Sequence, residues 1–293
     1  MLHHFENEFL KCAIDSNGAE IRSLVNKKSG EEYIWQIKPE IWGSSSPVLF
    51  PAIGSIREGK QEYEGRDYAM NKHGIIRNND QLTFGQASAN EVVFGLESSP
   101  QTKKQYPFDF SFKVRYRLEA WSLKMIYEVE NRGQETMYFI CGGHTAYACP
   151  LEEGLKLTDY VVDLPGKKAL QAETIGASGL LSYRQRNILS PEEDALVLSE
   201  NLFNEDALIF AHVDFDWLRL RRQSQNKGLI IRFEGYPHLA LWSKPGADYL
   251  CIEPWLGLPD REDESLKLKE KSSYHRLEAG GRRAYCIETL VET

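Results

Sequence analysis

Residues 110–131 read FSFKVRYRLEAWSLKMIYEVEN, and their pattern decides the fold class. Phe110, Phe112, Val114, Tyr116 and Leu118 alternate with Ser111, Lys113, Arg115, Arg117 and Glu119. Successive side chains of a strand point to opposite faces, so this is a strand with one dry face and one wet one. Leu123, Met125, Tyr127 and Val129 repeat the pattern against Ser122, Lys124, Glu128 and Glu130. The Glu119–Ser122 connection is short enough to pair the two runs as a hairpin.

Outward from this hairpin, short apolar or β-branched runs recur between turn residues: MYFICGG (137–143), ALIFAHV (207–213), GLIIRF (228–233), LALWS (239–243), YLCIEPW (249–255) and YCIETLVE (285–292). Such runs are strands bounded by Gly, Pro, Asn or Asp. No segment carries a sustained helical stripe. One short helix is expected where Ser190-Pro191-Glu192-Glu193 offers a cap. The chain is therefore expected to be all-β, a large antiparallel β-sandwich with few short helices. With no linker, repeat or low-complexity stretch, residues 1–293 are read as one domain.

Hydrophobic residues at 42% and charged residues at 27% are the balance of a globular chain, not a disordered one. A net charge of -8, without basic runs interleaved with aromatics, argues against a nucleic-acid partner. The opening MLHHFENEFLKCAI carries early acids and no long apolar stretch, so neither a signal peptide nor a membrane partner is expected, and the cytoplasm is the expected location. The five cysteines, Cys12, Cys141, Cys149, Cys251 and Cys286, are scattered through apolar text without CxxC spacing. They read as reduced, buried small hydrophobes, with no metal site. Oligomeric state leaves no mark in the sequence.

Several residues stand in unusual text. His73 precedes Gly74, and His144 follows Gly142-Gly143. Glycine permits close backbone approach, so each His either faces a cavity or is a satisfied polar group at a turn or bulge. Glu253 interrupts the apolar run Tyr249–Trp255. A charge there is paired, at an edge, or held for function, because unpaired burial is costly. Arg57, in a Gly-rich connection, offers a fork suited to hydroxyls or a carboxylate, or is a solvated loop residue. Asp206 opens the run Ala207–Phe210, where Asp ordinarily serves turn chemistry. Trp35, Trp42, Trp242 and Trp255 are sugar platforms or core.

Taken in order along the chain, these windows resemble the aldose 1-epimerases, in the galactose-mutarotase-like, LacX-like branch. The resemblance runs through Asn17-Gly18-Ala19-Glu20-Ile21, Tyr33-Ile34-Trp35, Pro47-Val48-Leu49-Phe50-Pro51 with Gly54 and Arg57, His73-Gly74, His144-Thr145, Asp206 and Cys251-Ile252-Glu253-Pro254-Trp255. It implies the galactose mutarotase-like supersandwich and a small-molecule sugar substrate. It also implies Glu253 as general base, His144 as general acid, and Arg57, His73 and Asp206 as groups that hold the sugar. The galactose mutarotases of the family carry Asn-His-Thr-Tyr and Leu-Glu-Thr-Gln where this chain has Gly143-His144-Thr145-Ala146 and Ile252-Glu253-Pro254-Trp255. The implied acid and base survive while their neighbours differ, and neighbours decide which hydroxyls are read.

The implied reaction opens the hemiacetal, rotates the freed carbonyl and recloses the ring, which requires no cofactor. An ordinary Glu, pKa about 4.3, is ionised near neutral pH, and an ordinary His, about 6.5, is protonatable. A hexose 6-phosphate epimerase would need further cations, for which Arg77 and the run Arg219-Leu220-Arg221-Arg222 are candidates. A non-catalytic sugar-binding module would need no acid–base pair. A hydrolase would want a second carboxylate facing Glu253, and none is evident.

Overall fold

The computed structural model describes residues 1–152, 154–166, 169–193 and 195–293. Two antiparallel sheets dominate. A nine-stranded sheet runs in the order Ala195–Val197, Tyr160–Asp163, Trp217–Arg222, Gly228–Arg232, Arg282–Val291, Ser122–Asn131, Phe110–Glu119, Glu91–Glu97, Thr83–Ser88. The hairpin read from residues 110–131 lies inside it, with Glu119 opposite Ser122 and Phe110 opposite Asn131. Phe110, Phe112, Val114, Tyr116 and Leu118 are fully buried. Each such side chain contributes about 1.5–3 kcal/mol by leaving water. On the opposite face Arg115 and Arg117 both pair with Glu91 of the neighbouring strand.

An eight-stranded sheet runs Leu181–Leu189, Leu170–Ile175, Leu208–Phe210, His238–Trp242, Tyr249–Trp255, Gly142–Gly143, Val48–Leu49, with Thr145–Ala148 also pairing on Tyr249–Trp255. The two sheets meet through buried aromatics. Phe50 stacks on Phe112 at 4.3 Å between centroids, and the Tyr147 hydroxyl bonds the Thr289 hydroxyl at 2.6 Å. One apolar cluster extends from Phe5 to Val291.

The helix expected at Ser190 is a turn instead. Glu193 N–H donates to the Ser190 carbonyl at 3.1 Å, and the Glu193 carboxylate accepts from Ser190 N–H at 2.7 Å. The capping residues are in place, but the strand Ala195–Val197 follows at once and no apolar stripe extends a helix. Among the described residues the helical pieces are the three-residue 3₁₀ turns Arg57–Gly59, Thr102–Lys104, Leu157–Asp159 and Leu268–Glu270. None is long and apolar enough to cross a membrane. All five cysteines are free, four of them buried and Cys286 half-buried.

Candidate active site

Tyr249–Trp255 is an interior strand, buried along its whole length, flanked by His238–Trp242 and by Gly142–Gly143. The glycines are there because the strands approach closely. A Cβ on Gly142 would lie 2.6 Å from the Pro254 carbonyl oxygen, nearer than a side chain tolerates. His144 follows directly, in the gap before Thr145–Ala148, and its Nε2 lies 3.3 Å from Oε2 of Glu253. Both are buried, at 8% and 1% exposure.

A second segment closes on this pair. Gly74 bridges Phe50 in parallel, with φ +85° and its ideal Cβ position only 2.1 Å from the Phe50 oxygen, so glycine alone fits. The preceding His73 has φ 70°, and its Nδ1 accepts the Gly54 N–H at 3.2 Å, which leaves any ring proton of the neutral tautomer on Nε2. The His73 and His144 rings meet edge-on at 5.4 Å. Asp206, at φ 72°, accepts the N–H of Ala207 at 2.8 Å just before the strand Leu208–Phe210. Two left-handed non-glycine residues at one cavity are the kind of strain that surrounding structure sustains at functional sites.

Glu253, His144, His73 and Asp206 line one cavity of about 230 Å³. Trp42, Trp242 and Trp255 form its aromatic wall, and Lys72 and Arg77 its cationic part. Trp42 and Trp242 hold the His144 ring at 5.3 and 5.9 Å. The volume is below the roughly 300–1,000 Å³ of drug-sized sites and suits a ligand of monosaccharide scale.

Arg57, expected to reach the ligand, is not among the residues that line this cavity. Its Nη1 donates to the Glu264 carbonyl at 2.7 Å and its N–H to Asp260 Oδ2 at 3.0 Å, so it ties two loops together outside the cavity. The arginine of the cavity is Arg77. The Arg219–Arg222 run lies on the nine-stranded sheet, where Arg219 meets Glu292, Arg221 meets Asp163 and Arg222 meets Glu152. Lys72 went unread in the sequence; its position directly before His73 was the available signal.

A profile of the aldose 1-epimerase family matches residues 1–262. The chain belongs to the aldose 1-epimerase family. Chromosomally encoded LacX of Lactococcus lactis subsp. lactis is 29% identical over 279 residues, 92% of this chain and 93% of LacX. A galactose mutarotase related enzyme from Lactobacillus acidophilus is 30% identical, covers 100% of this chain and 98% of its own, and superposes with a TM-score of 0.93. A galactose mutarotase-like protein from Lactobacillus casei is 27% identical over the whole of both chains, with a TM-score of 0.91. The family and the galactose mutarotase-like β-sandwich expected from the sequence are thus both present.

Burial changes the charge states expected of ordinary side chains. Desolvation pushes the Glu253 carboxyl well above the usual range; Lys72 opposes this and Asp206 adds to it. Desolvation pushes His144 down to about 3, with Arg77 as a further cause. His73 is driven well below its ordinary value by burial and then by His144. Both shifts run against the ionised Glu and protonated His that residue type alone suggests. The two approach to 3.3 Å, yet Oε2 of Glu253 and Nδ1 of His144 are buried without a hydrogen-bond partner in the protein.

Ligand atoms of His144, Cys251 and Glu253 lie within 4.8 Å of one another, a donor set of zinc type that the sequence reading did not assemble. Lys72 and Arg77 line the same cavity and oppose a cation, and burial pushes the Cys251 thiol up, away from the thiolate a metal requires. The arrangement is better suited to moving a proton.

Proposed function

We propose that this family member is a mutarotase, exchanging the α and β anomers of an aldose through Glu253 and His144. The observation that carries the reading is the contact between a buried carboxyl and a buried imidazole at 3.3 Å in a monosaccharide-sized cavity. The reactive form has Glu253 as carboxylate and His144 protonated, and Lys72 favours the carboxylate side. Glu253 then takes the anomeric hydroxyl proton while His144 protonates the ring oxygen. The bond between C1 and the ring oxygen breaks to give the open-chain aldehyde. Rotation about C1–C2 offers the other carbonyl face, and the reverse transfers close the ring as the opposite anomer. Protons balance over the cycle, and no bond to the protein forms. His73 and Asp206 hold hydroxyls in this reading, and Trp42 and Trp242 present flat faces to the ring.

Polarimetry of freshly dissolved α-D-galactose and α-D-glucose tests it. Each positioned acid or base contributes about 10²–10⁴-fold, so Glu253→Gln and His144→Asn should each remove most of the acceleration. Sugar binding without acceleration by the wild-type protein would replace the enzyme reading with that of a binding module.

A further inference from the structure

We propose that Trp255 is a positioning residue for Glu253, its indole N–H donating to the carboxylate form of the base. The proposal rests on the mutarotase reading above and deepens it. Trp255 stands two residues beyond Glu253 on the strand Tyr249–Trp255, so the two side chains share a face, and both line the cavity. Nε1 of Trp255 and Oε2 of Glu253 are each buried without a hydrogen-bond partner in the protein. The indole is a donor only and the ionised carboxylate an acceptor only, so each supplies what the other lacks. An unmet polar group in the interior is costly, and pairing two complementary ones offsets that cost.

Packing sets the place of the indole. Gly142 lies opposite Trp255 in the strand register, and a Cβ there would come within 2.8 Å of Cδ1, the ring carbon bonded to Nε1. The glycine that admits the ring therefore also leaves its N–H little freedom. Burial raises the Glu253 carboxyl; of its neighbours Lys72 lowers it, Asp206 raises it, and Trp255 lowers it as a donor. A hydrogen bond made to the charged form favours that form, and such bonds are often loose in a resting site and close in the reacting one. Trp255 thus steadies the form of Glu253 that takes the anomeric proton and restricts its rotation while it does so.

Two measurements test this. Trp255→Phe keeps a ring and removes the donor. From the strength of a hydrogen bond to a charged group, kcat/KM for anomer exchange should fall about ten- to hundredfold wherever Glu253 is protonated in the free enzyme. The loss should vanish as pH rises past the Glu253 pKa, and Trp255→Gln, which restores an N–H, should recover part of it. A merely structural role for the ring gives a loss independent of pH, and that result, or a rise in KM at unchanged kcat, overturns the proposal. The second measurement needs neither turnover nor a Trp255 variant. Proton–nitrogen NMR of the Trp255 indole, assigned through the backbone, should show its proton moving downfield as Glu253 ionises and holding still in Glu253→Gln. That control separates Glu253 from His144, His73, Lys72, Arg77, Asp206 and Cys251 around it and from His238 opposite Trp255, whose charges survive the substitution. An indole proton that does not respond to Glu253 overturns the proposal whatever the rates do. Exchange of no sugar by the wild-type protein removes the mutarotase reading, and the indole titration still decides whether Trp255 and Glu253 pair.

Discussion

Replacing Glu253 by Gln should stabilise the protein at neutral pH while abolishing its proposed activity. The carboxyl is 1% exposed on an interior strand, and desolvation raises its pKa well above the ordinary 4.5. Above that ordinary value the unfolded chain has released its proton while the folded chain still holds it. The folded state then binds more protons, so stability falls as pH rises, by up to about 1.4 kcal/mol per pH unit until the folded pKa is reached. A glutamine side chain keeps the shape and cannot ionise. The difference in unfolding free energy between Glu253→Gln and wild type should therefore be small below pH 4.5, grow in favour of the variant as pH rises above it, and level off past the folded pKa. For a chain of this length each kcal/mol corresponds to about 2 °C in Tm. Urea denaturation of both proteins from pH 4 to 8, with circular dichroism to follow unfolding, reads the slope directly. A Glu253→Gln protein that is less stable at pH 7.5, or a difference independent of pH, would refute the argument that burial holds this carboxyl protonated.

Gly142→Ala should cost about 1–3 kcal/mol, because its Cβ meets the Pro254 oxygen at 2.6 Å. The same substitution should slow anomer exchange by displacing His144, and denaturation and polarimetry on one preparation check both. Arg57→Gln should change KM by no more than about twofold, the scale of an ordinary surface substitution, since Arg57 bonds Glu264 outside the cavity; a large rise in KM would return it to the site. Lys271→Met should destabilise by about 3–5 kcal/mol by leaving the buried Asp260 without its cation. Adding Asp260→Asn should recover part of that loss, as thermal unfolding of the single and double variants would measure.

What could be read from the sequence was what local rules govern. The hairpin at 110–131 was legible because alternation is a property of neighbouring residues, and its dry face is fully buried. The turn at Ser190 was misread for the same reason, since a capping pattern is local while the strand that cuts the helix short is set by pairing with Tyr160–Asp163. Gly142 and Gly74 announced close approach without saying to what, and the answers, Pro254 and Phe50, come from sheet pairing over long separations. The family resemblance supplied Glu253 and His144 together, but their contact depends on two strands meeting across Gly142. Arg57 and Arg77 show the limit most sharply. As residues they are chemically the same, and both follow a glycine turn by three residues. The distant Glu264 carbonyl holds the first, whereas the second lines the cavity. The charge state of the pair was hidden for a related reason. Residue type sets an ordinary pKa, whereas the shift comes from burial and from Lys72, Arg77 and Asp206, which only the fold brings near. The proposed proton transfers would therefore be decided by packing at least as much as by the identity of the two residues that make them.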